Sequence, residues 1–243
     1  FIYLERGYRQ RDVPKLILEK NLFGLDIDQR AAQMSGFALM MKGREDDRRL
    51  FERDIALNLV SLTDSTGFDV EALSAGITLS DYGLTAHDLN ELKDLFEHAT
   101  TFGSLIQVPK QLADKLPKIK QLSEQTSQDL FVAEALERLA PLVKQAELLA
   151  NEYDAVVANP PYMGGKGMNP LMKKFAKDFF EDSKSDLFAC FIERGYRFAN
   201  ATGYHAMVTM QSWMFLSSFE AMRTTMLAEK TITSMAHLGA RAF

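Results

Sequence analysis

The chain has 243 residues, 47% of them hydrophobic, 25% charged and 10% aromatic, which excludes a disordered, collagen-like or disulfide-scaffold protein. Its 28 Lys and Arg against 33 Asp and Glu leave a formal charge of −5, so any grip on a polyanion needs a local patch or another domain. No run approaches the roughly 20 apolar residues of a membrane span and the start lacks a signal-peptide pattern, while the single cysteine, Cys190, suits a reducing cytoplasm.

The start at Phe1 rather than Met, and an end at HLGARAF with no polar tail, lead us to expect an internal segment of a larger protein. Residues 11–20 predict a short helix, with Asp12 as N-cap and Pro14 in its first turn. Residues 21–27 predict a strand, after which Asp28 caps a helix to about Lys42 whose Ala31, Ala32 and Ser35 form a small-residue face fit to lie on a sheet. The mixed-charge stretch 43–54 reads as a solvated surface turn or helix end rather than a nucleic-acid contact, because its signs nearly cancel. Residues 55–62 are a strand or a buried helix, which periodicity does not separate. Residues 63–101 read as the main part of an insertion spanning about 44–101, with a helix over 87–98, and a short apolar run returns at 103–108. The longest helical pattern covers 123–153, with Pro141 as a kink or break. A strand is expected at 153–159, helices at 170–181 and 186–199, a strand at 204–210, a helix at 217–230 and a last strand at 231–237. Strands separated by helices predict an α/β fold with a mostly parallel sheet and helices on both faces.

Asn159-Pro160-Pro161-Tyr162 falls at the C-terminal end of a predicted parallel strand, where open α/β sheets place ligands. Its chance occurrence in a chain of this length is roughly one in a thousand from average residue usage. A rigid exit turn with Asn bonding its own loop is the plain structural account. The chemical account starts from an exocyclic amine, a poor nucleophile because its lone pair is delocalised into the ring. The Asn159 side-chain carbonyl and the Pro160 backbone carbonyl can each accept one amine N–H, turning the lone pair toward an electrophile. Proline holds its carbonyl in place and brings no N–H of its own. Tyr162 offers a flat face for a base swung out of a duplex.

YDAVVANPPY resembles the catalytic motif of the amino-group class of S-adenosylmethionine-dependent DNA methyltransferases, specifically the adenine-N6 members. NLFGLDIDQRAA resembles the same family's acidic strand-end motif, which implies Asp26 as the ligand of the cofactor's ribose hydroxyls and Ile27 as a face for its adenine. FGSLIQVP resembles the next cofactor-side motif, with Ser104 and Leu105 at the contact, although Ser104 stands where many relatives carry an Asp. Ser185-Asp186-Leu187-Phe188 resembles the segment lining the methionine end and the target pocket, implying contacts from Asp186 and Phe188; Asp186 is equally suited to cap its helix. The likeness spans nearly the whole chain and is nearest to the large methylases of bacteriophage-exclusion (BREX) systems and to fused restriction-modification methylases. It implies a Rossmann-like methyltransferase fold over 1–243, a Gly-rich cofactor loop upstream and a target-recognition domain downstream. Its partners would be double-stranded DNA and other subunits of a phage-defence system, with no membrane.

Cys190 sits in an apolar helical stretch and reads as core. His87, His98, His205 and His237 have no ligand spacing, so no metal is expected. Gly164-Gly165-Lys166-Gly167 lacks Walker spacing and reads as a flexible lip beside the target pocket, with Lys166, Lys173 and Lys174 as candidate DNA-backbone contacts. Two other readings stay open: methylation of a protein glutamine or an RNA base, and a scaffold that binds without turnover. The roughly 75 residues between the acidic strand and FGSLIQ exceed what a compact α/β unit needs, which together with the family likeness favours the large DNA-modifying relatives.

Overall fold

The first unit, Phe1–Ala150, opens with α1 (Ile2–Glu5) and α2 (Val13–Lys20), in a computed structural model that describes residues 1–239. Pro14 takes the first turn of α2, but Asp12 makes no cap hydrogen bond because its carboxylate lies 3.2 Å from the Arg53 guanidinium, a stronger partner than an amide. Strand β1 (Phe23–Asp26) pairs in parallel with β2 (Asn58–Ser61), Phe23 opposite Asn58 and Asp26 opposite Ser61. That pairing makes residues 55–62 a strand segment rather than a helix. Between the strands runs α3 (Gln29–Arg44), started where the Asp28 carboxylate accepts the N–H of Arg30 at 2.7 Å and of Ala31 at 3.3 Å. It lies close through Gly36, where a Cβ would stand 3.3 Å from Leu57, while Ser35 of the expected small-residue face is exposed.

The charged stretch 43–54 is not simply a solvated turn. Leu50 drops fully into the core, and Asp47, only 5% exposed, is neutralised by Arg53 at 2.8 Å. Helices α4 (Val70–Gly76), α5 (Ala86–Leu95) and α6 (Ala99–Phe102) follow, the second started by a reciprocal bond in which Thr85 N–H donates to Asp88 at 2.8 Å. Residues 103–105 form a tight turn, leading to α7 (Lys110–Ala113), α8 (Leu116–Ser123) and α9 (Leu130–Ala150). The long helix starts later than expected, where Asp129 accepts the N–H groups of Phe131 and Val132. It runs on through Pro141 rather than breaking. Proline costs a helix about 3 kcal/mol, whereas α9 buries Val132, Leu136, Leu139, Leu142, Val143 and Leu149, each contributing about 1.5–3 kcal/mol. The insertion is no separate body: Leu73, Leu89, Leu92 and Phe96 are fully buried in the same unit as Leu112, Ile119 and Leu139.

The second unit starts at Asn151 with β3 (Tyr153–Ala158), followed by α10 (Pro170–Phe179) and α11 (Leu187–Phe198). Strand β4 (Ala199–Met207) leaves α11 directly, earlier than the expected Tyr204, and runs parallel to β3 with Val156 opposite His205 and Ala158 opposite Met207. Helix α11 lies so close to β4 that a Cβ on Gly195 would stand 2.2 Å from His205 Nε2. Burial lowers the His205 pKa, so the ring packs as the neutral imidazole. Helix α12 (Glu220–Glu229) starts after a short turn over Ser217–Phe219.

Two expectations fail. Residues 231–237 form no strand: among the described residues no strand pairs with them, and Ile232 and Met235 stand in solvent. The α/β class and parallel pairing hold, but the strands of the described residues lie in two sheets of two rather than in one. Helix α11 packs on the second sheet, where Val157 is 81% and Tyr204 67% exposed. No helix among the described residues is long and apolar enough to cross a membrane.

Candidate active site

In the first unit the chain turns at the end of β1, and the backbone N–H of Asp28 donates to Asp26 Oδ1 at 2.8 Å. Asp28 is itself occupied as the cap of α3, so the two neighbouring carboxylates have separate duties. Asp26 Oδ2 has no hydrogen-bond partner among the described residues. Ile27, 53% exposed, meets the 103–105 turn, where a Cβ on Gly103 would come 3.2 Å from its Cγ2. Gly103 has φ +60°, a conformation that glycine takes without strain. The fold thus gathers Asp26, Ile27 and Ser104 at one sheet end. Leu105, expected beside Ser104 at the cofactor contact, has its side chain fully buried in the core, because the turn that presents Ser104 points the next residue inward.

In the second unit the Asn159-Pro160-Pro161-Tyr162 loop leaves the C-terminal end of β3, as the motif predicts. Pro160 is buried, Asn159 and Tyr162 exposed. The Tyr162 hydroxyl donates to Asn159 Oδ1 at 3.1 Å, and the Tyr162 ring stands edge-on to Phe188, with centroids 6.4 Å apart. Phe188, expected at the methionine end and the target pocket, is 1% exposed and packs with Ile192, Phe219 and Met222, so it braces Tyr162 from the core.

The glycine-rich segment is tied rather than loose. Met163 N–H donates to Asp186 Oδ1 at 3.0 Å, Leu187 N–H to Met163 C=O at 3.1 Å, and Gly165 N–H to Ser185 C=O at 3.1 Å. Asp186 Oδ1 also accepts the Phe188 N–H at 3.3 Å, capping α11. Of its two expected roles capping is therefore filled, together with a loop contact that sequence reasoning missed, since nothing local marks two residues 23 positions apart as partners. Gln145 was missed likewise. Fully buried on α9, it accepts the Thr63 N–H at 2.9 Å and donates to the Thr63 carbonyl at 3.0 Å, closing the backbone that leaves β2. Lys166, Lys173 and Lys174 are exposed.

Burial pushes the Cys190 thiol up to about 12, so it is no nucleophile at neutral pH. Among the described residues no three His, Cys, Asp or Glu side chains are grouped to hold a metal. The acceptor-rich, cysteine-free loop suits chemistry on an amine.

The family model described as Eco57I restriction-modification methylase matches residues 20–243. The chain belongs to this methylase family. Among relatives of this methylase, the chain is 48% identical over 266 residues to an adenine-specific methyltransferase, BrxX, of Escherichia coli O9:H4 (strain HS). It is 36% identical over 247 residues to an adenine-specific methyltransferase, PglX, of Lacticaseibacillus casei (strain Zhang). Both alignments take in all of this chain but only 22% and 20% of the relatives, so the methylase segment described spans about a fifth of their length.

Proposed function

We propose that the protein transfers a methyl group to the N6 amine of adenine in double-stranded DNA, within a host-modification or phage-defence system. The observation that carries this reading is the Asn-Pro-Pro-Tyr loop at the C-terminal end of a parallel strand, with the Asn159 side-chain oxygen already held by a hydrogen-bond donor. The fold that suits it is a Rossmann-like methyltransferase, with a Gly-rich cofactor loop upstream and a target-recognition domain downstream of this segment.

The residues of the first unit fit S-adenosylmethionine: a carboxylate with one oxygen uncommitted suits a pair of ribose hydroxyls, and the exposed Ile27 suits a purine face. The cofactor, when bound, supplies the electrophilic methyl group. Asp26 would hold the ribose and Ile27 the adenine, with Ser104 beside them. Asn159 Oδ1 and the Pro160 carbonyl would take the two amine hydrogens of the target, aligning its lone pair. Tyr162 would stack on the extruded base, exchanging its bond to Asn159 for that contact. Positioning of this kind supplies most of the catalysis, so no strongly perturbed base is required. Lys166, with Lys173 and Lys174, would meet DNA phosphates, and other defence-system subunits are the expected protein partners.

Modified-base sequencing of DNA from cells expressing the full-length protein, beside a matched Asn159→Ala version, tests this. N6-methyladenine at one motif, lost in the variant, is the expected result. Its absence from both, with the protein folded and binding cofactor, would transfer the reading to a glutamine or RNA substrate, or to a non-catalytic scaffold.

A further inference from the structure

Within the loop after Tyr162 the backbone turns on itself once, Gly167 N–H donating to Gly164 C=O at 2.8 Å. Met163 is followed by Gly164, Gly165 and Gly167, and among the described residues the one side chain that bonds the backbone of 160–167 is Asp186. Its Oδ1 takes two N–H groups at once, from Met163 at 3.0 Å and from Phe188 at 3.3 Å. The same carboxylate is therefore shared between the loop and the first turn of α11. Two backbone bonds flank it, Leu187 N–H to Met163 C=O and Gly165 N–H to Ser185 C=O, both at 3.1 Å, with Gly164 and Asp186 facing each other as an antiparallel bridge. A Cβ on Gly164 would stand 3.4 Å from the other Asp186 oxygen, so the loop lies in contact with the carboxylate.

From this geometry we propose that Asp186 is a positioning residue for the transfer site. It clamps the loop through Met163, and so sets the Tyr162 ring against Phe188 and the Tyr162 hydroxyl on Asn159. It acts through backbone and touches no reacting atom. What the clamp needs from Asp186 is an acceptor oxygen at the correct reach, not a charge. A direct cofactor contact, such as to an ammonium group, needs the charge. The kinetic part of the inference rests on the methyl-transfer reading; the structural part does not.

Three variants of the full-length protein separate these roles. Asp186→Asn keeps Oδ1 as an acceptor at the same reach. Asp186→Ser keeps a good helix cap but is one bond too short to reach Met163. Asp186→Ala removes both. Backbone amide exchange over 163–167 reads the clamp without any turnover, calorimetry reads cofactor affinity, and single-turnover methylation reads the transfer step. In Asp186→Ser we expect amide exchange in 163–167 to quicken and transfer to slow by about tenfold to a hundredfold, the scale of a small misplacement. Cofactor affinity should stay within about twofold and the melting temperature near the unmodified value, because the cap survives. Asp186→Asn should resemble the unmodified protein in every readout.

Equal loss in Asp186→Asn and Asp186→Ser, with cofactor affinity falling in parallel, would overturn the clamp and make the charge a ligand. Unchanged exchange in both Asp186→Ser and Asp186→Ala would overturn it as well. If the unmodified protein methylates no adenine, the functional reading fails on its own, and the exchange result still decides the clamp.

Discussion

The bond from the Tyr162 hydroxyl to Asn159 Oδ1 occupies the acceptor assigned to the target amine. A hydrogen bond of this kind contributes about 0.5–1.5 kcal/mol net, and a base entering the site has to replace it. Tyr162→Phe keeps the stacking face and releases the oxygen. We expect it to lower the apparent KM for DNA by about twofold to tenfold with kcat little changed, the range that corresponds to that energy; a raised KM in steady-state assays would assign the hydroxyl to substrate binding instead. The placing of Asn159, Tyr162 and Asp26 at strand ends was legible because it depends on residues beside them in the chain. The burial of Leu105 and Phe188 was not, because local likeness does not report burial. Both side chains are apolar residues next to motif positions, and only the packed core decides which way such a side chain turns.

At the scale of elements, most helices and the strands β1 and β3 were readable from periodicity and caps, β2 was left between strand and helix, and the exceptions have physical causes. Pro141 did not break α9, because the tertiary burial of that helix outweighs one lost bond. Residues 231–237 have the apolar content of a strand, but a strand exists only against a partner. The start of β4 was misplaced because Asn200 and Gly203 lack strand preference and the segment is held by pairing to β3. The packing of β4 under α11 rests on Gly195. Gly195→Ala would drive a Cβ into His205, and overpacking of this sort costs about 1–3 kcal/mol. Pairing it with His205→Ala should recover part of the loss, a non-additivity measurable by urea unfolding of the single and double variants. Strictly additive losses would show that the contact is relieved in some other way.

At the scale of the whole molecule, the sheet of the second unit exposes Val157 and Tyr204 on one face. Large apolar side chains exposed on neighbouring strands favour association. The 243-residue segment expressed alone should therefore self-associate with rising concentration, and Val157→Lys with Tyr204→Lys should suppress this in sedimentation velocity. A strictly monomeric segment at high concentration would contradict it. Neither this exposure nor the division after Ala150 was visible in the sequence, since both depend on which elements find partners and not on any local signal.

The ties between Met163 and Asp186 have a consequence for how such a protein can vary. The chain leaves the loop, forms α10 and comes back to the same carboxylate 23 positions later. A segment pinned at both ends can change length at small entropic cost, about 0.6 kcal/mol for each doubling. The exposed side of α10, with Lys173, Lys174 and Lys177, is thus free to drift between lineages, and its contacts can be rewritten while the loop that carries Asn159 stays in register.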